Sequence, residues 1–152
     1  MYDLKRIANY EIDFVCTACG ECCRNFSDDR GVIVIKDDIV RIAKAMILSE
    51  SEFIKHYCNI VNKYINNLEI KIATLKYKGG ACLFLKNDKC VIHIIKPLQC
   101  LLSPLGLFWN AKRDFECLNG INIPSTFSSD DADDRMLENI ILTSDYLKNL
   151  GF

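Results

Sequence analysis

A chain of 152 residues, 50% hydrophobic and 26% charged, has the balance of one globular domain able to bury a core. Its 19 basic and 20 acidic side chains leave a net charge of -1, which argues against a coat for nucleic acid or for an anionic membrane. No apolar run approaches the roughly 20 residues of a membrane helix. The charged N-terminal stretch 1–14 does not read as an export signal. A cytoplasmic protein with neither membrane nor nucleic-acid partners is expected.

Nine cysteines are the exception to this ordinary composition. The count is odd and no export signal accompanies it, so thiolate metal ligands are the better reading than a disulfide framework. The first group stands in a loop, Cys16-Thr-Ala-Cys19-Gly-Glu-Cys22-Cys23, where Gly20 lets the backbone curl. A short strand follows over 31–35. Asp37 or Asp38 can cap a helix from about Ile39 to Leu48. The signal Ser49-Glu-Ser-Glu52 opens a second helix, which the apolar spacing of Phe53, Tyr57, Cys58, Val61, Tyr64 and Ile65 carries to about Ile65.

Leu68 to Tyr77 alternates like a half-buried strand, with a register slip near Thr74, until Gly79-Gly80 breaks it. Cys82 and Cys90 then flank the turn Lys86-Asn87-Asp88-Lys89 in a hairpin or strand–turn–strand. Pro97 can start a helical turn carrying Cys100, which Pro104 ends. Residues 105–110 and Phe115 are expected to pack irregularly around the site. Ser128-Ser-Asp-Asp131 is an N-cap region for a last helix from about Ala132 to Asn149. The expected class is α+β: a single small metal-centred domain over 1–152, with short strands, cysteine-rich loops and about three main helices.

Cys16, Cys19 and Cys22, at steps of three, can turn three thiolates toward one centre, a spacing used by zinc sites and iron–sulfur clusters alike. Adjacent side chains diverge as a rule, so Cys23 is expected to serve a different metal, or a different corner of a cluster, from Cys22. Cys82, Cys90, Cys100 and Cys117 supply four further thiolates from separate segments. These eight suffice for two four-thiolate centres or one larger cluster. Arg24, Lys86, Lys89 and Lys96 either balance the thiolate charge or are ordinary surface cations.

A ferredoxin-like three-plus-one spacing favours iron–sulfur. Zinc, which more often pairs two C-x-x-C knuckles, is the alternative. Other residues draw plainer readings. Cys58 is a small buried hydrophobe. His93 hydrogen-bonds near the site rather than ligating. His56 lies on the surface, and Phe108 and Trp109 are core lids. Asp130, Asp131, Asp133 and Asp134 are first-turn charges favouring the helix dipole, without the glycine and glutamate of a calcium loop.

The pattern C-x-x-C-x-x-C-C at Cys16, Cys19, Cys22 and Cys23, then Cys82 with Phe84-Leu85, Cys90 with Ile92-His93, Lys96-Pro97, Cys100 and Pro104, resembles the CxxCxxCC family of zinc- or iron-chelating domains. Cys117 with Gly120 is similar to that family's late cysteine. The resemblance spans about Cys16 to Gly120 and implies chelation. Similar clusters in flagellin lysine methylases imply one serving methyl transfer. Lys96, Leu101 and Ser103 depart from the arginine, arginine and aromatic usual in the family, which removes forked hydrogen-bond donors near the site. Three functions are compatible with this reading. The first is an iron–sulfur protein for electron transfer, metal handling or service to a modification enzyme. The second is a structural zinc module binding a protein partner. The third is an iron–sulfur methyltransferase-like enzyme.

Overall fold

The computed structural model describes residues 3–7, 10–14, 19–24, 26, 31–65, 67–102 and 133–152. The chain is α+β, as expected. Near its start β1 (Asp3–Ile7) and β2 (Tyr10–Phe14) pair antiparallel, from Asp3↔Phe14 to Ile7↔Tyr10. The sequence reading assigns no strands to this stretch.

The main sheet has three antiparallel strands in the order β3-β5-β4, with β5 (Leu68–Leu75) in the centre. On one side β4 (Cys58–Ile65) pairs along its whole length, from Cys58↔Leu75 to Ile65↔Leu68. On the other side β3 (Ile33–Val34) adds a short rung at Ile33↔Thr74. The slip expected near Thr74 is visible as a change of buried face: Ile70 is buried, then Ala73 and Leu75.

Residues 58–65 correct the sequence reading, which ran a helix from Ser49 to Ile65. The helix α2 (Glu50–Tyr57) stops at Tyr57, and Cys58 is already extended at φ -121, ψ 149. Ile60, Val61 and Ile65 are β-branched, and Asn59 and Asn62 are weak helix formers. A complete ladder with β5 therefore outweighs the local helical spacing of the apolar residues.

Helix α1 (Lys36–Ala45) begins three residues earlier than expected, because Ile35 is its N-cap and the Asp38 carboxylate accepts the Ile35 N–H at 3.1 Å. The start of α2 follows expectation. Ser49 Oγ accepts the Glu52 N–H at 3.2 Å and Glu52 accepts the Ser49 N–H at 2.8 Å, a reciprocal cap. Helix α4 (Asp133–Asn149) packs on β5 and α1. It is pinned there where Thr143 Oγ1 accepts the Lys36 N–H at 2.8 Å and Ser144 Oγ accepts the Lys71 N–H at 2.9 Å.

Phe53, Ile39, Ile42, Ile54, Leu75 and Leu147 form the fully buried centre. Cys58 joins it as a buried residue at the start of β4 rather than on a helix face. Among the described residues, no helix is long and apolar enough to cross a membrane. The expected positions of Pro104, Phe108, Trp109, Phe115 and the cap Ser128–Asp131 lie outside the described residues.

Candidate metal centre

Residues 76–92 build two hairpins of one design. In the first, β6 (Tyr77–Lys78) and β7 (Ala81–Cys82) pair as Tyr77↔Cys82 and Lys78↔Ala81. In the second, β8 (Leu85–Lys86) and β9 (Lys89–Cys90) pair as Leu85↔Cys90 and Lys86↔Lys89. Both turns have two central residues at positive φ: Gly79 at 60° and Gly80 at 75°, then Asn87 at 49° and Asp88 at 62°. Such pairs match the twist of the flanking strands, and Gly and Asn are residues that tolerate them.

Beyond each hairpin the next N–H reaches back across it. Leu83 donates to Lys76 O at 3.0 Å and Val91 to Phe84 O at 2.9 Å. Each hairpin thus ends on a cysteine followed by a tight turn. Backbone N–H groups of Phe84 and Leu85 donate to the Cys82 sulfur, and that of Ile92 to the Cys90 sulfur. Amides aimed at sulfur favour the thiolate.

The first cysteine loop lies against these hairpins. Glu21–Cys23 forms a 3₁₀ turn after Gly20, whose φ is 77°. A Cβ at Gly20 would stand 3.6 Å from both Asp88 O and the Leu85 side chain, so the loop approaches the second hairpin closely. Arg24 and Asp88 make an ion pair across the same junction, and Phe26 N donates to Gly80 O at 2.8 Å. The Cys23 thiol hydrogen-bonds with those of both Cys22 and Cys90. The two adjacent thiols therefore converge rather than diverge, because the 3₁₀ turn ends there and the chain leaves extended at Arg24.

Cys100 arrives from a third direction, on the short helix α3 (Leu98–Leu102). Its thiol is close enough to Cys22, Cys82 and Cys90 for their charges to act on it. Behind the site, Phe53, Tyr57 and Phe84 stack, with ring centroids 5.6 and 5.0 Å apart in turn.

The electrostatics are those of crowded, partly buried thiols, with the Lys96 cation acting on Cys90. Cys100 is pushed well above its ordinary value by burial and by the neighbouring cysteines. Burial likewise raises Cys82 to about 11, against the amides of Phe84 and Leu85. Cys23 is raised by its hydrogen bonds to Cys22 and Cys90, while Cys90 falls to about 6 through its hydrogen bond from Cys23, helped by the Ile92 amide and Lys96. A cation among the sulfurs would reverse this logic, since a coordinated thiol ionises outright. The donor chemistry fits a soft, thiophilic metal. Among the described residues, no three His, Cys, Asp or Glu side chains are already spaced to hold one ion.

Of the eight cysteines expected as ligands, Cys22, Cys23, Cys82, Cys90 and Cys100 come together. Cys19 is half-buried, and Cys16 and Cys117 lie outside the described residues. Cys58 is raised to about 12 by burial alone, opposed by Lys76, with no thiol acting on it. His93 is exposed, 3.4 Å from Lys96 Nζ. Of the four cations named from sequence, Lys96 acts on Cys90 and Arg24 is paired with Asp88, while Lys86 and Lys89 are exposed on the turn.

Residues 15–119 match the CxxCxxCC family, described as "Putative zinc- or iron-chelating domain". The chain belongs to this family. The chain is similar to the uncharacterized protein MJ0661 of Methanocaldococcus jannaschii. It is 35% identical over 98 residues, which are 63% of this chain and 47% of that protein. The chain thus spans about half the length of the curated relative it matches. No solved structure matches it.

Sequence reading missed the polar side chains that hold the Cys100 segment. From sequence Asp38 is a helix-cap candidate, and nothing local marks Arg41 or Gln99. Asp38 Oδ1 accepts the Leu98 N–H at 3.0 Å, and Gln99 Oε1 accepts the Ile33 N–H at 2.5 Å. The local signal, an acid in the first turn of α1, is the same whether or not a distant amide completes it.

Proposed function

We propose that this CxxCxxCC chain is a metal-binding protein whose cysteines Cys16, Cys19, Cys22, Cys23, Cys82, Cys90, Cys100 and Cys117 hold an iron–sulfur cluster in the cytoplasm. The observation that carries this reading is the meeting of five cysteines from four elements: the 3₁₀ turn, the two hairpins and α3. Hydrogen-bonding between Cys22, Cys23 and Cys90 supports one shared centre over two separate four-thiolate sites. Clusters of that kind are built on thiolates and tuned by hydrogen bonds to sulfur, such as the amides at Cys82 and Cys90 supply. Electron transfer, metal handling or service to a modification enzyme are the roles such a centre fits.

Zinc is the second reading. It is favoured by the matched geometry of Cys82 and Cys90, each on its own hairpin with its own amide donor, which a tetrahedral ion could pair. The test is anaerobic purification of the chain with metal analysis and an absorption spectrum. Brown protein absorbing near ~400 nm with iron and sulfide supports the cluster. Colourless protein with stoichiometric zinc replaces it by zinc, and protein carrying neither metal sinks both.

A further inference from the structure

Residues 95–99, which deliver Cys100, are held by side chains from other elements. Asp38, only 3% exposed, accepts the Leu98 N–H at 3.0 Å and the Ile35 N–H at 3.1 Å. Arg41 Nη2 donates to Asp38 Oδ1 at 3.0 Å and to Lys96 O at 3.0 Å, and Arg41 Nη1 donates to Ile95 O. One carboxylate and one guanidinium of α1 thus take up the polar backbone groups of Ile95, Lys96 and Leu98. A further tie runs from Gln99, 2% exposed, whose Oε1 accepts the Ile33 N–H in β3.

Stability alone does not account for this arrangement. Taking a carboxylate out of water is costly, and an apolar contact of similar volume often serves a fold as well or better. What a forked, directional pair supplies is orientation. Arg41 fixes two carbonyls and Asp38 the following amide, so the attitude of α3, and the direction in which Cys100 leaves it, is set from α1.

We propose that Asp38 and Arg41 are positioning residues for the metal centre, acting through Leu98 and the 95–97 backbone to place the Cys100 sulfur among Cys22, Cys82 and Cys90. This rests on the metal-binding reading above. Groups that orient a ligand typically change metal affinity by about 10–100-fold when removed.

The experiment titrates the full-length, metal-free chain with cobalt(II) under anaerobic conditions. It follows thiolate-to-cobalt charge-transfer absorption and affinity by competition with a chelator. Asp38→Ala is expected to lower cobalt affinity by about 10–100-fold and to weaken the charge-transfer band. Cys100→Ala should do the same, and the double variant should bind no more weakly than Cys100→Ala alone. Ile140→Val, a packing change in the smaller apolar cluster beside Leu98, should leave band and affinity as in the wild type. If Asp38→Ala does not fold, Arg41→Ala, at a side chain 45% exposed, carries the test, and Arg41→Lys should not rescue it because a single ammonium cannot span both carbonyls and the carboxylate. Wild-type affinity and spectrum in the folded Asp38 or Arg41 variant would overturn the proposal, as would losses that multiply in the double variant. Wild-type protein that takes up no cobalt sinks the metal reading itself and this proposal with it.

Discussion

Cys82 and Cys90 occupy the same position in two successive hairpins, each the last residue of a returning two-residue strand, opposite Tyr77 and Leu85 respectively. The turn before each sets where its sulfur points. At Gly80 φ is +75° and a Cβ would meet Phe26 O at 3.8 Å, so Gly80→Ala has room but is conformationally strained. An L-residue there costs about 1–2 kcal/mol. We expect Gly80→Ala to lose that much stability in urea denaturation and to weaken metal uptake. A variant as stable as wild type would show that the turn does not need its left-handed geometry.

Cys58 and Cys90 make a clean contrast. Cys58→Ala should cost roughly 1 kcal/mol of packing and leave metal content unchanged, since only burial and Lys76 act on that thiol. Cys90→Ala should lose metal. Metal analysis of the two purified variants decides it, and equal loss from both would mean that Cys58 belongs to the ligand set.

Phe84 links the hairpins to α2. It is 4% exposed and its ring stacks 5.0 Å from Tyr57, which stacks on Phe53. Phe84→Ala removes a buried ring from between the core and the cysteine hairpins and should cost about 3–5 kcal/mol. Phe84→Leu should recover much of this. Chemical denaturation of both variants checks the order.

Ile47 is a β-branched residue held at φ +58°, with 92% of its surface exposed, just past the end of α1. Leu48 N–H bonds back to Ala43 O at 3.0 Å and Ile47 N–H to Lys44 O at 3.2 Å, a helix ending that usually carries glycine at this position. Ile47→Gly relieves about 1–2 kcal/mol of backbone strain and gives back roughly 0.5–1 kcal/mol in unfolded-chain entropy. A net gain of up to about 1.5 kcal/mol is expected by calorimetry, at roughly 2–4 °C in Tm per kcal/mol for a chain of this size. An unchanged or lower Tm would refute it.

The cap of α2 should show in the acid limb of stability. Glu52 has its pKa lowered by the Ser49 amide and hydroxyl. A depressed carboxylate contributes stability that is present above its unfolded value, about 4.3, and lost as pH falls through the lower folded value. Wild type should therefore lead Glu52→Gln at neutral pH, and the gap should close below about pH 4. Denaturation midpoints at pH 3, 4, 5 and 7 test this, and a gap independent of pH would exclude the charged cap.

Local chemistry made much of this chain legible from its residues. Gly79-Gly80 and Asn87-Asp88 announce turns because few other residues enter positive φ without strain. Ser49 and Glu52 announce a helix start because their reciprocal bonds need only three residues of chain. The cysteine spacing marks the family because thiolates have few other reasons to recur in that pattern. Tertiary structure alone decided that 58–65 is a strand, since the ladder to β5 is a partnership that helical spacing cannot reveal. It also brought Cys22 and Cys23 onto Cys90, across 67–68 residues of chain, and set Asp38 against Leu98, 60 residues away. Such contacts depend on which surfaces meet when the sheet and helices pack, and no local periodicity encodes that.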